Sequence, residues 1–448
     1  MRVAVAGAGP TGLMVSGALA RRGHDVTVVD RDPGPGQDTW DRRGVMQFRH
    51  AHAFRPQVHE ALGNLWPEAL ERWTSTAEPI NVPTPAGERL VGMRSRRSTF
   101  ERALRAAVAE TDGVDLVTGH VDRLVVEQDR VRGLEVDGAT VRADLVVDAT
   151  GRRGLRRRAV AGAAGDCGIA YVNRVYRLVQ GAGPGPTTMP IGYVASFDGY
   201  QILLFQHEHG HFTVVFVRAT ADDDLCMLHE AAGFDAACRA VPALALWTDP
   251  ERSAPTTEVM VGGALRNVYR APRTSDGLVA VGDAVATTTP TAGRGIALGA
   301  LQVEALTRLL DERADGPGAT DDAVRAFDAW CDEQVRPWVD AHVEADTAQA
   351  RHFRGADVDP DRLTIADIAA IADADPSLMP VVGPYLGMAA LPQSLEPLRD
   401  RARAVRVRLA SCVRRGTVSR PAGRGRPAGG AGLSALSAGG GRPSPRRG

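Results

Sequence analysis

Apolar residues at Val3-Ala-Val-Ala6 form a short unbroken run, the pattern of a strand covered on both faces. From Leu13 to Arg22 the pattern is that of a helix, and Val26-Thr-Val-Val29 is a second buried strand ending on Asp30. Between the first strand and the helix stands Gly7-Ala-Gly9-Pro-Thr-Gly12. Strand, glycine turn, helix, strand and acid in this order predict a dinucleotide-binding βαβ unit. Gly7 permits the tight turn, Gly9 lets backbone approach a pyrophosphate, and Gly12 lets helix and strand pack closely. The helix start offers free N–H groups to phosphate, and Asp30 stands where a carboxylate accepts bonds from a ribose.

Further along, a helical pattern runs from about Arg55 to Trp73 and another from Arg97 to Val108, with Ser98 or Thr99 as the expected cap. Strands are predicted at 115–118, 121–128 and 130–136, with a turn at Asp137-Gly138, and Leu145-Val-Val147 is a buried parallel strand. The pattern then becomes β-rich: 170–179, 191–195, 201–206, 211–218 and 257–262 read as strands, interrupted by a helical stretch from Asp224 to Val241. Leu278-Val-Ala-Val281 returns to a buried strand, and a long helix follows from Gly295 to about Leu310. The expected fold class is therefore α/β (α+β overall). A Rossmann-type domain (1–167 and 271–345) is interrupted by an antiparallel substrate sheet (168–270) and followed by C-terminal helices (346–412).

Composition narrows this only slightly. The 448 residues are 44% hydrophobic and 24% charged, ordinary for a globular protein, with net charge −1. No 18-residue apolar stretch exists, so no membrane span is expected, and the first residues lack the layout of a signal peptide. Cys167, Cys226, Cys238, Cys331 and Cys412 form no C-x-x-C pair, which argues against a zinc site and suits a reduced, cytoplasmic setting. Residues 413–448 are rich in Arg, Gly, Ala, Pro and Ser without any acid, and are expected to stay disordered. No nucleic-acid role is assigned to them.

A second motif sharpens the ligand. Gly277-Leu-Val-Ala-Val-Gly-Asp-Ala284 is a strand entering an acidic turn, followed by Thr289-Pro290 and Ala292-Gly-Arg-Gly-Ile296 at the start of the long helix. Asp283 can accept a ribityl hydroxyl, and the helix start at Gly293–Ile296 offers N–H groups to developing negative charge. Two distant anchoring turns suit FAD, whose adenosine and isoalloxazine ends are well separated. His50 and His52 alternate on a loop, so one of them is expected to face flavin or substrate. No carboxylate or Cys stands at metal-ligating spacing around them, so no metal is assigned. His207, His209 and His211 alternate on a strand pattern and share one face, either a metal trap or an exposed sheet face, and no functional weight is given to them.

With these motifs the chain resembles the class A flavin-dependent monooxygenases of the p-hydroxybenzoate hydroxylase fold, over about residues 1–345. The resemblance rests on Gly7-x-Gly9-x-x-Gly12 with Asp30, Arg97 heading its helix, Asp148-Ala-Thr-Gly151, and Gly282-Asp283 followed by Pro290 and Gly293-Arg-Gly295. Gln47-Phe-Arg-His-Ala-His52 and Gly263-Ala-Leu-Arg-Asn267 look like a bacterial secondary-metabolism branch of oxygenases and epoxidases. The resemblance implies FAD held by Gly7, Gly9, Gly12, Asp30, Arg97, Asp148, Gly282, Asp283, Pro290, Gly293, Gly295 and Ile296, with His50 and His52 as catalytic candidates. It also implies NAD(P)H as a transient reductant, O2, a flavin C4a-hydroperoxide, and hydroxylation or epoxidation of a small organic substrate. The chain departs from the family at Ala149-Thr150, Thr289 and Met46, and it lacks the Trp-x-Trp-x-Ile-Pro halogenase mark. No second G-x-G-x-x-G exists. The rivals are an FAD-dependent reductase or dehydrogenase without oxygen insertion, and a silent flavin-binding accessory protein.

Overall fold

The computed structural model describes residues 1–36, 40–42, 44–83, 89–155, 164–263, 265–270, 275–313, 316–356, 359 and 361–414. From residue 415 onward the basic tail lies outside them.

β1 (Arg2–Ala6), α1 (Pro10–Ala20) and β2 (Asp25–Asp30) form as the pattern predicts. The stretch expected as one helix is two, α2 (Pro56–Leu65) and α3 (Pro67–Thr74). Pro67 drives the residue before it out of helical geometry, and Trp66 has φ −155. An unforeseen hairpin follows, β3 (Glu78–Pro83) with β4 (Arg89–Arg94); Pro79, Pro83 and Gly92 break the alternation that would have announced it. α4 (Arg97–Ala109) is capped by neither Ser98 nor Thr99: its cap is Arg96, and the Thr99 hydroxyl instead donates to Glu208 at 2.5 Å. β5 (Val114–Thr118) precedes the meander β6 (Val121–Glu127), β7 (Arg130–Val136) and β8 (Ala139–Arg142), in which Asp137 and Gly138 both take positive φ at the predicted turn.

After β9 (Leu145–Asp148) the chain leaves the first domain. β10 (Gly165–Asp166) leads to β11 (Ile169–Leu178), β12 (Gly192–Phe197), β13 (Tyr200–Gln206), β14 (His211–Ala219) and β15 (Ser253–Pro255), with α5 (Ala231–Ala240) and α6 (Pro242–Trp247) between the last two strands. Their antiparallel sheet has the order β12-β13-β14-β11-β15, with β16 (Met260–Gly262) also paired to β11. Alternation divides its side chains. Tyr176, Ile202, Phe212 and Phe216 pack under α5 and α6 with Phe234 and Trp247. Tyr171, Leu203, Phe205, Val215 and Val217 face the other way, toward Met46, Ala51 and Ala53.

β17 (Arg266–Tyr269) pairs with β10 and with β19 (Ala286–Thr287), while β18 (Leu278–Ala280) rejoins the parallel sheet, whose order is β18-β9-β1-β2-β5. This is the expected Rossmann-type domain with an inserted antiparallel sheet. α7 (Gly295–Glu312) packs on α1 and α2, and α8 (Ala319–Gln334) and α9 (Arg336–His352) begin the C-terminal helices. Among the described residues no helix is long and apolar enough to cross a membrane.

His207, His209 and His211 do not share an exposed face. β13 ends before them, His207 is buried with Nε2 2.9 Å from Thr213 Oγ1, and His209 sits in a turn at φ 56. A one-residue kink there destroys the alternation on which the strand reading depended.

Candidate functional site

The first turn separates two kinds of glycine. A Cβ on Gly7 would lie 2.5 Å from Ala149 O, and one on Gly12 would lie 1.9 Å from Gly7 O, so close packing requires both. Gly9 is different. Its φ of −78 is open to any residue, and the nearest atom to a Cβ there is Arg42 Nη1 at 3.9 Å. Open space therefore stands in front of Gly9, at the amino end of a helix with no side-chain cap.

The second motif repeats the division. Gly293 has φ +61 and lies against Ala53, whereas a Cβ on Gly295 would meet nothing within 4 Å. Here too the helix, α7, has no side-chain cap and no acid in its first turn. Ile296 follows in that turn, and Pro290 opens the short 3-10 turn Pro290–Ala292 just before it. The two motifs adjoin: a Cβ on Gly282 would lie 2.9 Å from Thr11 Oγ1. Asp283, next in sequence, is exposed to solvent, yet desolvation raises its pKa against the pull of Arg97, Arg152 and Arg270. A carboxyl both accessible and enclosed in this way lines a cleft, not the outer surface.

A line of buried charge runs beside the cleft. Asp30 Oδ2 accepts from Ala8 N at 2.6 Å and Arg42 Nη2 at 2.8 Å, and Oδ1 accepts from Asp32 N at 2.8 Å. Arg42 Nη1 continues to Glu101 at 2.7 Å, and Glu101 accepts from Arg97 Nε at 2.5 Å. Asp30 retains little spare acceptor capacity for a ribose, and Arg97 is held by Glu101 at the cleft edge. Nothing in the pattern marks the role of either new member: Arg42 lies in an irregular loop, and Glu101 reads as one more polar position in the motif headed by Arg97. Asp148, also expected to contact the cofactor, has its oxygens engaged within the protein. Buried at the end of β9, it accepts from Thr150 N and Oγ1 and from Leu155 N, which braces the turn following it.

His50 and His52 do point apart. His50 Nδ1 lies 2.5 Å from Asn173 Nδ2 and its ring meets Tyr171 edge-on, so it faces β11. His52 has Nδ1 3.0 Å from His50 O and stacks on Phe54, within electrostatic reach of Arg97. Burial lowers the pKa of His50 to about 4; burial, followed by Arg97, lowers that of His52 to about 3. Both are neutral at pH 7 and available as uncharged hydrogen-bonding groups.

Between His50's loop and the β11–β14 sheet lies a small apolar pocket bounded by Gln47, Tyr171, Leu203, Phe205, Val215 and Thr291. Its free volume of about 20 Å³ is room for one water, so an organic substrate must displace wall side chains to enter. Gln47 Nε2 donates to the Tyr171 hydroxyl, whose pKa burial pushes up to about 12. Behind the opposite wall Arg55 donates to Ala292 O and Leu386 O, each at 2.8 Å. Arg294 lies over Trp338 at 4.7 Å. Thr289 N donates to Asn267 Oδ1 at 2.7 Å, so buried groups fix the 289–295 loop from behind. Among the described residues no group of three His, Cys, Asp or Glu could hold a metal.

Comparison with known proteins agrees with this geometry. Residues 91–358 match the tryptophan halogenase family, and residues 2–79 match FAD dependent oxidoreductase. Protein Rv3254 of Mycobacterium tuberculosis (strain ATCC 25618 / H37Rv) is 27% identical over 364 residues, 69% of this chain and 73% of its own. Other relatives share only a segment. The chain covers 30% of a D-amino acid dehydrogenase of Rhodopseudomonas palustris (strain HaA2), 29% identical over 25% of this chain. It covers 11% of the Escherichia coli (strain K12) dihydropyrimidine dehydrogenase subunit PreT, 46% identical over 11% of this chain. Among solved structures, PqsL, a probable FAD-dependent monooxygenase from Pseudomonas aeruginosa, has TM-score 0.60 at 15% identity, covering 79% of this chain and 98% of its own. The flavin-dependent halogenase CmlS has TM-score 0.61 at 18% identity, covering 92% and 78%. The fold is that of the class A flavoproteins, and the chain belongs to the tryptophan halogenase family.

Proposed function

We propose that the protein is an FAD-dependent monooxygenase that uses NAD(P)H and O2 to hydroxylate or epoxidise a small, largely apolar organic substrate. One observation carries this reading. Gly9 and Gly295 each face open space at an uncapped helix start, although neither packing nor backbone conformation requires glycine there. A cradle that a Cβ would fill at both anchoring turns suits a long dinucleotide.

Gly7, Gly9 and Gly12 would receive the pyrophosphate, Asp30 the adenosine ribose with its remaining acceptor capacity, and Asp283 and Arg97 the ribityl region. Gly293, Gly295 and Ile296 would turn N–H groups toward the flavin ring. FAD, when bound, supplies hydride acceptance and oxygen activation. The protein's part is orientation and dryness. Tyr171, Leu203, Phe205, Val215 and Pro290 exclude water, and Gln47 with the neutral Tyr171 hydroxyl orients a polar group of the substrate. His52, uncharged beside Arg97, adds no second cation next to the flavin. His50, on the loop that faces β11, would hold a substrate hydroxyl through the ring nitrogen not engaged by Asn173.

The family match favours halogenation as a second reading. Against it stands a sequence with no Trp-x-Trp-x-Ile-Pro and no lysine, so no side-chain amine could carry an electrophilic halogen. The test is an absorbance spectrum after FAD loading, then NADPH oxidation in air with peroxide measured, and candidate apolar substrates under labelled O2. Flavin bands, NADPH consumption and label in the product are expected. Covalent bromine in the product of a parallel reaction supplied with bromide would select halogenation; NADPH oxidation without label in the product would select a dehydrogenase. A protein that takes up no FAD would overturn the reading.

A further inference from the structure

The outer face of α4 holds a second cavity, separate from the apolar pocket. It is an open groove of about 340 Å³ between α3, α4 and the turn at His209, and its walls include Arg72, Arg96, Arg102, Thr76, Thr99 and His209. That volume falls in the range of small-molecule sites. Three guanidiniums around one cavity repel cations and suit an anion with several oxygens, which guanidinium forks bind bidentately.

The charges are set and not chance neighbours. Glu208 is fully buried and accepts from Arg96 N and Arg96 Nε, both at 2.7 Å, and from Thr99 Oγ1. This carboxylate fixes the Arg96 guanidinium at the pocket wall. Arg72 pairs with the exposed Glu110. Arg102 has no carboxylate partner among the described residues; it lies over the Trp40 ring at 5.4 Å. Two acids against three arginines leave the pocket one positive charge in excess before His209 is counted.

Its place in the fold narrows the ligand. Arg96 forms the outer wall, while Arg97, the next residue, reaches far enough into the cleft to shift His52 and Asp283. One residue therefore separates an anion pocket from the flavin cleft. The sequence holds no second glycine fingerprint to bind a dinucleotide elsewhere.

We propose that this pocket docks the phosphates of the nicotinamide dinucleotide reductant, an inference that rests on the flavoenzyme reading above. Its half-exposed guanidiniums give a salt-sensitive attraction, which suits a co-substrate that must leave after each turnover.

The test titrates NADP+ and NAD+ into the FAD-loaded full chain at low salt, with inorganic phosphate and pyrophosphate in parallel arms. Arg102→Gln removes the unpaired charge. Ala106→Glu places a carboxylate on an exposed position of the pocket wall within a good helix former, so folding is preserved. NADP+ binding weakened on the order of tenfold in both variants is expected, with melting temperature and flavin content unchanged. Unaltered NADP+ affinity and NADPH KM in both variants would overturn the pocket while leaving the flavoenzyme intact. Phosphate binding as tightly as NADP+ would reduce it to a free-anion site and overturn the dinucleotide assignment. A wild-type protein that binds no NADP+, yet inserts oxygen when its flavin is reduced chemically, would do the same. Failure to load FAD would instead strike the parent reading.

Discussion

Asp30, Arg42, Glu101 and Arg97 run as an alternating line of charge beside the two glycine turns, whereas Leu203, Phe205, Val215 and Val217 give the proposed substrate pocket an uncharged wall. The charged line is rigid because each buried group depends on its neighbour, and removing one strands the next in low dielectric. The apolar wall has no such dependence. Its members can change size singly, and Gln47 and Tyr171 form a polar pair within it. Substitution is therefore expected to be costly along the charged line and to be tolerated, one side chain at a time, along the apolar wall.

Four experiments would break or sharpen that contrast. The largest effect is expected at the first turn. Gly12→Val drives a side chain into Gly7 O and should abolish folding, whereas Gly9→Val should keep the melting temperature and lose flavin. Thermal melts with flavin quantitation separate the two, and equal losses of stability would show that Gly9 is structural after all. Glu101→Ala leaves Arg42 and Arg97 without their shared partner and should cost about 3–5 kcal/mol in urea denaturation.

Next comes pH. The folded pKa of His50, about 4, lies below its unfolded value, so the unfolded chain takes up the proton first as pH falls. Its contribution is complete above about pH 6.5 and is lost progressively down to about pH 4, at up to ~1.4 kcal/mol per pH unit. His50→Gln should flatten the stability curve across that window; an unchanged slope would show that His50 is protonated in the fold. Smallest is Tyr171→Phe. Loss of the Gln47 contact should lower stability by about 1 kcal/mol and alter KM more than kcat. A fall in kcat alone would move Tyr171 from the wall into the chemistry.

The cofactor side was far more legible in the sequence than the substrate side, and the reason is distance along the chain. The first turn lies within thirty residues, so strand, glycines and acid announce one another. The second motif is equally local. The apolar pocket draws Gln47, Tyr171, Leu203, Val215 and Thr291 from separate segments, and nothing in any one of them marks the others. Near misses have local causes too. The break at Trp66 could have been read from Pro67. The capping role expected of Thr99 was lost to a partner, Glu208, that no helix rule can foresee. Asp148 keeps its predicted place, and its bonds to Thr150 and Leu155 are partners that its strand-end position alone does not announce.

Arg55 and Arg294 are buried without a carboxylate at ion-pair distance among the described residues, and Arg294 Nε has no hydrogen-bond partner. Two guanidiniums behind the start of α7 favour an anion there, and any anion that binds the folded chain alone draws the population toward the folded state by mass action. Cellular proteolysis samples the unfolded fraction. The amount of this protein that a cell retains is thus expected to follow how much of it carries ligand, so that supply of the ligand sets abundance as well as activity.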